Sequence, residues 1–494
     1  MSTFFGLNIS RLGMQAQQKA LEVTAHNVAN ANTPGYSRQV AGMSTTTPLP
    51  YPNGQGMLGS GVKVSQIARV RELFLDNQIR DEMHILGNWE SRKEYLSQVE
   101  MIFMEPSDTG FNSVLSTFFD SWQELSLSPE SSPARAALVE NANFLVNSIQ
   151  HTYTQLESVR ADITKDIELK VNDLNSLAEQ IKDLNQQITT LTAKGDSPND
   201  LMDRRDLLLD NLAKMVNYDL HIADNGAVNI FIGGRPLVQQ NIVNTLKTVE
   251  GTPEQNSEWL PGPQIVWSRD ERPTQINSGE IAGLIATRDD DLRKYMEEFE
   301  SMAWGLVDSI NEYHNNGMDL TGEYGIDFFT GDHLKTIGVN KDIQNDLRKI
   351  AASTPPIPRG EDGSEEAPFK PAPGDGSNAV QISQLRNSRI TVNSDAKNLR
   401  GRLELDDEGG TTFANFYRDT IARLGVDSQE SIRMATNQTS LVEMMSDRRD
   451  SISGVSIDEE MANMVQFQLS YQASARVITT LDEIYDTLIN RMVR

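Results

Sequence analysis

The sequence predicts a mainly α protein with inserted β regions. Its terminal helices pair as a coiled coil, long helices form a bundle, and β-rich parts lie far from the ends. Three observations predict this. Apolar residues recur at three- and four-residue spacing at both ends of the chain. From Ala134 to Lys194 there is no glycine or proline. Around Asp224-Asn225-Gly226 the period changes to two, a hairpin signal.

Residues 4–29 read as a helix with two apolar stripes. Ile9, Leu12, Ala16, Ala20 and Val23 form one; Leu7, Met14, Leu21 and Val28 form the other, roughly opposite. A surface helix needs one apolar face, so a helix with two has to be covered twice. Asn30, Asn32, Pro34 and Gly35 then stop it, because Asn tolerates a left-handed helix end and Thr-Pro-Gly-Tyr suits a turn. Residues 40–60 are rich in Pro and Gly and read as irregular; 61–70 alternate like a strand.

Helical spacing resumes near residue 72. Phe111, Val114, Leu115, Phe118, Phe119 and Trp122 mark one helix, stopped by Ser128-Pro129. The long uninterrupted stretch follows, about 90 Å if it is a single helix. Its later seam (Leu174, Leu177, Ile181, Leu184, Ile188, Leu191) is too short for an extended coiled-coil dimer and points to a bundle. Residues 195–200 break it and 201–216 continue helically. Strands are expected over 218–275, one helix over 280–314, mixed structure over 317–410 and a helix over 411–452.

The last helix is the most regular. Met464, Phe467, Tyr471, Ser474, Ile478, Leu481, Tyr485, Leu488 and Met492 form its seam. Ser456 and Glu459 fit a capping box, and Asp458, Glu459 and Glu460 oppose the helix dipole. Neither terminal helix can bury enough surface alone to offset its ordering entropy. The expectation is that they pair and that copies of the pair cover one another.

The expected domains are 1–40 with 456–494 as a terminal helical unit, and 41–217 with 278–322 and 411–455 as a helical bundle. The β-rich insertion is 218–277. Residues 323–410 form an outer mixed domain with a flexible linker at 353–377.

The 494 residues carry a formal charge of −26, which disfavours nucleic acid and anionic lipid as partners. The absence of cysteine excludes disulfides and thiolate chemistry. No apolar run reaches membrane-spanning length, and no basic-then-apolar leader opens the sequence.

Catalytic and cofactor motifs fare poorly. "GQGMLG" (54–59) matches a dinucleotide-binding pattern but lacks the preceding strand and following helix. There is no P-loop, and six scattered histidines offer no local metal motif. Asp289, Asp290 and Asp291 read as a solvated helix face. No catalytic, cofactor or metal residue is assigned, and no enzyme activity is expected.

Both ends carry a resemblance. "AHNVANANTPGYSRQ" (25–39) and "SGVSIDEEMANMVQFQLSYQASARVITTLDEIYDTLINRM" (453–492) resemble the terminal signatures of bacterial flagellar axial proteins: rod, hook and hook-associated proteins. "SGEIAGLIATRDDDL" and "LVDSINEYHNNGMDLTG", within 278–322, resemble the hook-associated members. The motif residues are Asn27, Asn30, Asn32, Thr33, Pro34, Gly35 and Tyr36.

The resemblance implies a structural subunit that polymerises into a tube or ring at the hook–filament junction. It implies export without a cleaved signal peptide and an extracellular location. The implied partners are copies of itself, the hook protein, hook-associated protein 3 and a cytoplasmic export chaperone. The implied assembly residues are Leu7, Ile9, Leu12, Met14, Leu21, Val23 and Val28 with Met464, Phe467, Tyr471, Ile478, Leu481, Tyr485, Leu488 and Met492. A rod or hook subunit is the alternative within the family; a secreted enzyme with axial-type ends is the alternative outside it.

Overall fold

The computed structural model describes residues 5–50, 56–103, 110–251, 262–355, 373–393, 398–406 and 409–487. The first helix, α1 (Phe5–Ala29), leads into strand β1 (Gln39–Thr45). This strand pairs antiparallel with β4 (Val62–Arg69), from Gln39↔Arg69 to Thr45↔Val62. Beyond them, β2 (Leu49–Pro50) pairs with β3 (Met57–Leu58). Among its described residues the stretch expected to be irregular is therefore largely a two-stranded arm; Pro50 lies in the short outer pair, where few ladder bonds are needed, and Gly42 sits at a register shift within β1. The arm packs along α1.

The body follows. Helices α2 (Leu73–Phe103), α3 (Phe111–Leu127), α4 (Ser132–Thr192) and α5 (Asn199–Met215) come in succession. Helix α4 is one uninterrupted helix of 61 residues. Ser131 caps it, accepting from the Ala134 N–H, and Pro133 sits in its first turn, where no amide donor is needed.

A four-stranded meander comes next: β5 (Asp219–Ile222), β6 (Val228–Ile232), β7 (Arg235–Gln239) and β8 (Ile242–Val243). Strand β9 (Leu246–Val249) pairs with β10 (Gln264–Trp267). These strands and α5 cover the later seam of α4, which was expected to meet mainly other helices. Asn185 of α4, fully buried, donates to the Val228 carbonyl at 2.8 Å and accepts from the Val228 N–H at 3.0 Å. A helix carrying a polar residue among apolar ones can thus pair with a strand end.

The helix expected over 280–314 is interrupted. Helix α6 (Glu280–Ala286) passes through a π turn at Thr287–Asp291 into α7 (Leu292–Asn316). After it come β11 (Phe329–Thr330), β12 (Gly338–Val339), α8 (Lys341–Asn345), α9 (Ser377–Gln384), β13 (Ile390–Val392) and β14 (Leu403–Leu405). The chain closes with α10 (Phe413–Ser453), paired with α2, and α11 (Ile457–Asp486), paired with α1.

The described residues of 323–410 do not stand apart as an outer unit. Phe328, Phe329, Ile343, Ile350, Ile382 and Leu403 join Phe118, Trp122 and Ile310 in one apolar core. Buried His314 pins this segment: its Nδ1 side meets the Ile326 carbonyl and its Nε2 accepts from the Ala351 N–H at 3.0 Å. Burial lowers its pKa to about 4, so it holds this geometry as a neutral ring. Most of the expected linker, 356–372, lies outside the described residues.

Candidate functional site

Helices α1 and α11 contribute no side chain to the body core. They run antiparallel with a seven-residue repeat. A side-chain carbon added at Gly6 would stand 3.4 Å from Leu481, and one at Gly13 would stand 3.2 Å from the Ser474 hydroxyl. Asn27 Nδ2 donates to Glu460 Oε2 at 3.0 Å.

The helices therefore meet along small residues of α1, with Gly6 and Gly13 belonging to neither apolar stripe. Ile9 and Leu12 face the arm, where Gly61 packs against them. Val23, Ala16 and Ala20 are buried; Leu7, Met14, Leu21 and Val28 are half-buried. On α11 the residues Met464, Phe467, Tyr471, Ile478, Leu481 and Tyr485 are half-buried, while Leu488 and Met492 lie outside the described residues.

A second stripe of α11 faces away from α1. Ile457, Met461, Val465, Leu469, Val477 and Ile484 are all exposed, Leu469 at 61%. Glu460 is the one described residue of this 30-residue helix that is buried. The sequence reading did not pick out this stripe, although Ile457, Met461, Val465 and Leu469 recur every four residues.

The motif after α1 builds the joint between this terminal pair and the body. Thr33-Pro34-Gly35-Tyr36 closes a turn, with the Tyr36 N–H donating to the Thr33 carbonyl at 3.1 Å. Gly35 takes φ +78°, which suits a type II turn with proline before it, and Leu207 of α5 packs where a side chain would start.

Asn27 uses all its hydrogen-bonding capacity. Its Oδ1 accepts from the Gln39 N–H at 2.9 Å and from the Tyr36 hydroxyl at 2.7 Å; its Nδ2 donates to the Gln39 carbonyl at 2.8 Å and to Glu460. Burial, together with the charges of Asp200, Asp203 and Glu460, pushes the Tyr36 phenol pKa up, so it stays a donor. Asn30 closes the helix end on the His26 carbonyl, and Thr33 donates to Asn30. Asn32, Thr33, Pro34 and Gly35 are exposed.

Below the turn lies a buried ionic network that the sequence reading missed. Arg69 bridges Asp203 at 2.7 Å and Asp206 at 2.8 Å. Arg71 holds Asp76 through two bonds, at 2.7 and 3.2 Å. Arg80 and Arg449 both bond Asp210 at 2.8 Å. Asp203 also accepts from the Ser37 N–H and hydroxyl.

Four arginines thus meet four aspartates, brought from the arm, α2, α5 and α10. Burial raises the Asp206 pKa, but Arg71, Arg69 and Arg80 together outweigh that and hold it below the usual aspartate range. The available signal was the three-then-four spacing of Asp203, Asp206 and Asp210 on α5. A charged stripe reads as solvated unless its partners are known.

The joint continues into α11. The Arg38 N–H donates to the Ser453 carbonyl, and the Arg38 guanidinium to Glu459 at 3.0 Å. Ser456 caps α11 by accepting from the Glu459 N–H at 3.4 Å, but the Glu459 carboxylate goes to Arg38. The expected reciprocal capping box is therefore seen as one half, the other side chain serving the joint.

A cleft of about 600 Å³ opens between residues 31–38 and 449–456. Among the described residues no His, Asp and Glu cluster is arranged to hold a metal, and no helix is long and apolar enough to cross a membrane.

Comparison with known proteins fits this geometry. Residues 96–329 match the family model described as the flagellar hook-associated protein FlgK helical domain. Residues 7–36 match the flagella basal body rod protein model, and 448–492 the C-terminal model of flagellar basal body rod FlgEFG proteins. Flagellar hook-associated protein 1 of Bacillus subtilis is 30% identical, with 99% of each chain covered. Its namesakes in Salmonella typhimurium and Escherichia coli are 27% and 26% identical, with 98% of this chain and 99% of theirs covered.

A solved structure titled as the flagellar hook junction protein FlgK of Burkholderia pseudomallei shares the fold. Its TM-score is 0.62 at 16% identity, covering 76% of this chain and all of that one. Full-length matches to hook-associated proteins displace the rod and hook alternatives. The chain belongs to the flagellar hook-associated protein 1 family, structural components of the bacterial flagellum.

Proposed function

We propose that this chain is a ring- or tube-forming adaptor at the hook–filament junction and that the α1–α11 pair with its arm is the polymerising unit. The carrying observation is the exposed apolar stripe of α11 on a helix with a single buried residue. Such a stripe is stable in water only when neighbouring copies cover it. The half-buried stripe Leu7, Met14, Leu21 and Val28 lies along the same pair and supports the same reading.

In this reading the chain divides functionally at the joint. Residues 5–69 and 457–487 line the inner layer, and the ionic network fixes the body's orientation to it. The hook protein lies on one side and hook-associated protein 3 on the other. An export chaperone covers α11 before secretion to the outside of the cell. No catalytic role is assigned; the buried joint carboxylates are engaged by arginines.

Met461→Asp and Leu21→Asp test the proposal. A buried carboxylate without a partner costs well over the roughly 1.4 kcal/mol that equals a tenfold loss of binding. Both variants are expected to leave hooks bare of filament while the soluble body keeps its unfolding transition. Immuno-electron microscopy should place the wild-type chain at the distal end of the hook alone. Normal filaments in both variants, or label along the whole hook, would contradict the reading.

A further inference from the structure

We infer that the Asn27–Glu460 pair is a register lock that selects one of several heptad-related pairings of α1 and α11, and so a positioning device for assembly. The three defined contacts share one register: Gly6 with Leu481, Gly13 with Ser474, and Asn27 with Glu460. The first step is seven residues and the second fourteen, one and two heptads, on both helices. Ala20 continues the small-residue row, buried at the same spacing.

The apolar part of this seam does not discriminate between registers. Slip α11 by seven residues one way, and Gly13 faces Leu481 while Ala20 faces Ser474. Slip it the other way, and Gly6 faces Ser474 while Gly13 faces Phe467. Small residues of α1 meet the same seam residues of α11 in every case.

The polar pair does discriminate. In the first slip Asn27 faces Phe467, and Glu460 passes beyond the end of α1 at Ala29. In the second Glu460 faces Ala20, and Asn27 passes beyond the start of α11 at Ile457. Either way a side chain now buried loses its partner: Asn27 is 1% exposed and Glu460 3%. A hydrogen bond to a charged group is enough for about a tenfold preference, and a single polar residue in an apolar helix seam is an effective register device.

Asn27 also holds the Gln39 backbone on both its N–H and carbonyl, so one side chain ties helix register to the root of the arm. A one-heptad slip displaces α11 by about 10 Å. That would move the Ile457–Met461–Val465–Leu469 stripe out of line with the arm and the second stripe of α1. The inference rests on the proposed assembly role, because register matters to function only if neighbours read that composite surface.

The absence of native cysteine allows a covalent test. A Cβ at Gly13 would lie 4.0 Å from the Ser474 Cβ, within the range of a disulfide. Purified full-length chain is added to hooks isolated from cells lacking it, and the bound amount is measured by sedimentation. Asn27→Ala is expected to bind about tenfold less than wild type. Asn27→Ala joined through Gly13→Cys and Ser474→Cys is expected to recover wild-type binding when oxidised and lose it again when reduced.

The slipped disulfide, Gly13→Cys with Leu481→Cys in an otherwise wild-type chain, is expected to abolish binding when oxidised. Undiminished binding by Asn27→Ala would overturn the lock. So would failure of the in-register disulfide to restore it, which would assign Asn27 to the turn alone. Both results leave the assembly role standing, whereas a wild-type chain that does not bind hooks would overturn that role and this inference together.

Discussion

Asp206→Ala is expected to lower the stability of the body by about 3 kcal/mol, read as a fall in the urea midpoint without a change in slope. Asp206 is buried between Arg69 at 2.8 Å and the guanidinium groups of Arg71 at 3.4 Å and Arg80 at 3.6 Å. Removing it leaves three buried cations with less negative charge around them. Breaking a buried pair costs about 3–5 kcal/mol. The lower end applies because Arg69, Arg71 and Arg80 keep Asp203, Asp76 and Asp210.

The same residue gives a pH dependence of defined sign. Its folded pKa is depressed, so its contribution is complete above the unfolded value of about 3.9 and disappears as pH falls through the lower folded value. Wild type should lose stability along that acid limb. Asp206→Asn, which cannot titrate, should start lower and show a shallower limb.

Gly87→Val is expected to be at least as damaging, costing about 3 kcal/mol or more or preventing soluble expression. A Cβ at Gly87 of α2 would sit 2.1 Å from the Lys214 carbonyl oxygen and 3.0 Å from the Glu280 amide nitrogen. Both are backbone atoms, at the end of α5 and the start of α6, so no rotamer change relieves the overlap. Gly279 and Gly283 crowd the same crossing, where added carbons would meet Met215 O at 2.4 Å and Asn88 O at 2.5 Å. Thermal unfolding and limited proteolysis would check it; a Gly87→Val body as stable as wild type would show that the helices can move apart.

Much of the helical architecture was legible because it rests on local pattern. The break-free stretch became α4, the heptad-like seam near the C-terminus became the α1-facing side of α11, and Thr-Pro-Gly-Tyr became the turn. What was not legible depends on partners distant in sequence. The acids of α5 look solvated until Arg69, Arg71, Arg80 and Arg449 arrive from three other elements.

The π turn at Thr287–Asp291 leaves the apolar spacing on both sides intact, so the sequence reads as one helix. The pairing of α1 with α11 was expected, but the small-residue row along which they meet was missed because glycine and serine carry no hydrophobic signal, although Gly6, Gly13 and Ala20 repeat every seven residues. The described residues of 323–410 include short strands and turns whose burial is set by His314 and by the aromatic cluster of α3, not by their own periodicity.

Hydrogen exchange along α11, compared between the isolated chain in dilute solution and the chain bound on hooks, tests the central claim most directly. A helix with one buried side chain has little to hold its amide bonds closed. The amides of 461–486 should exchange orders of magnitude faster than those of α4 in the free chain, and become protected on the hook. Protection of α11 equal to that of α4 in the isolated molecule would contradict a terminal pair that owes its stability to neighbouring subunits.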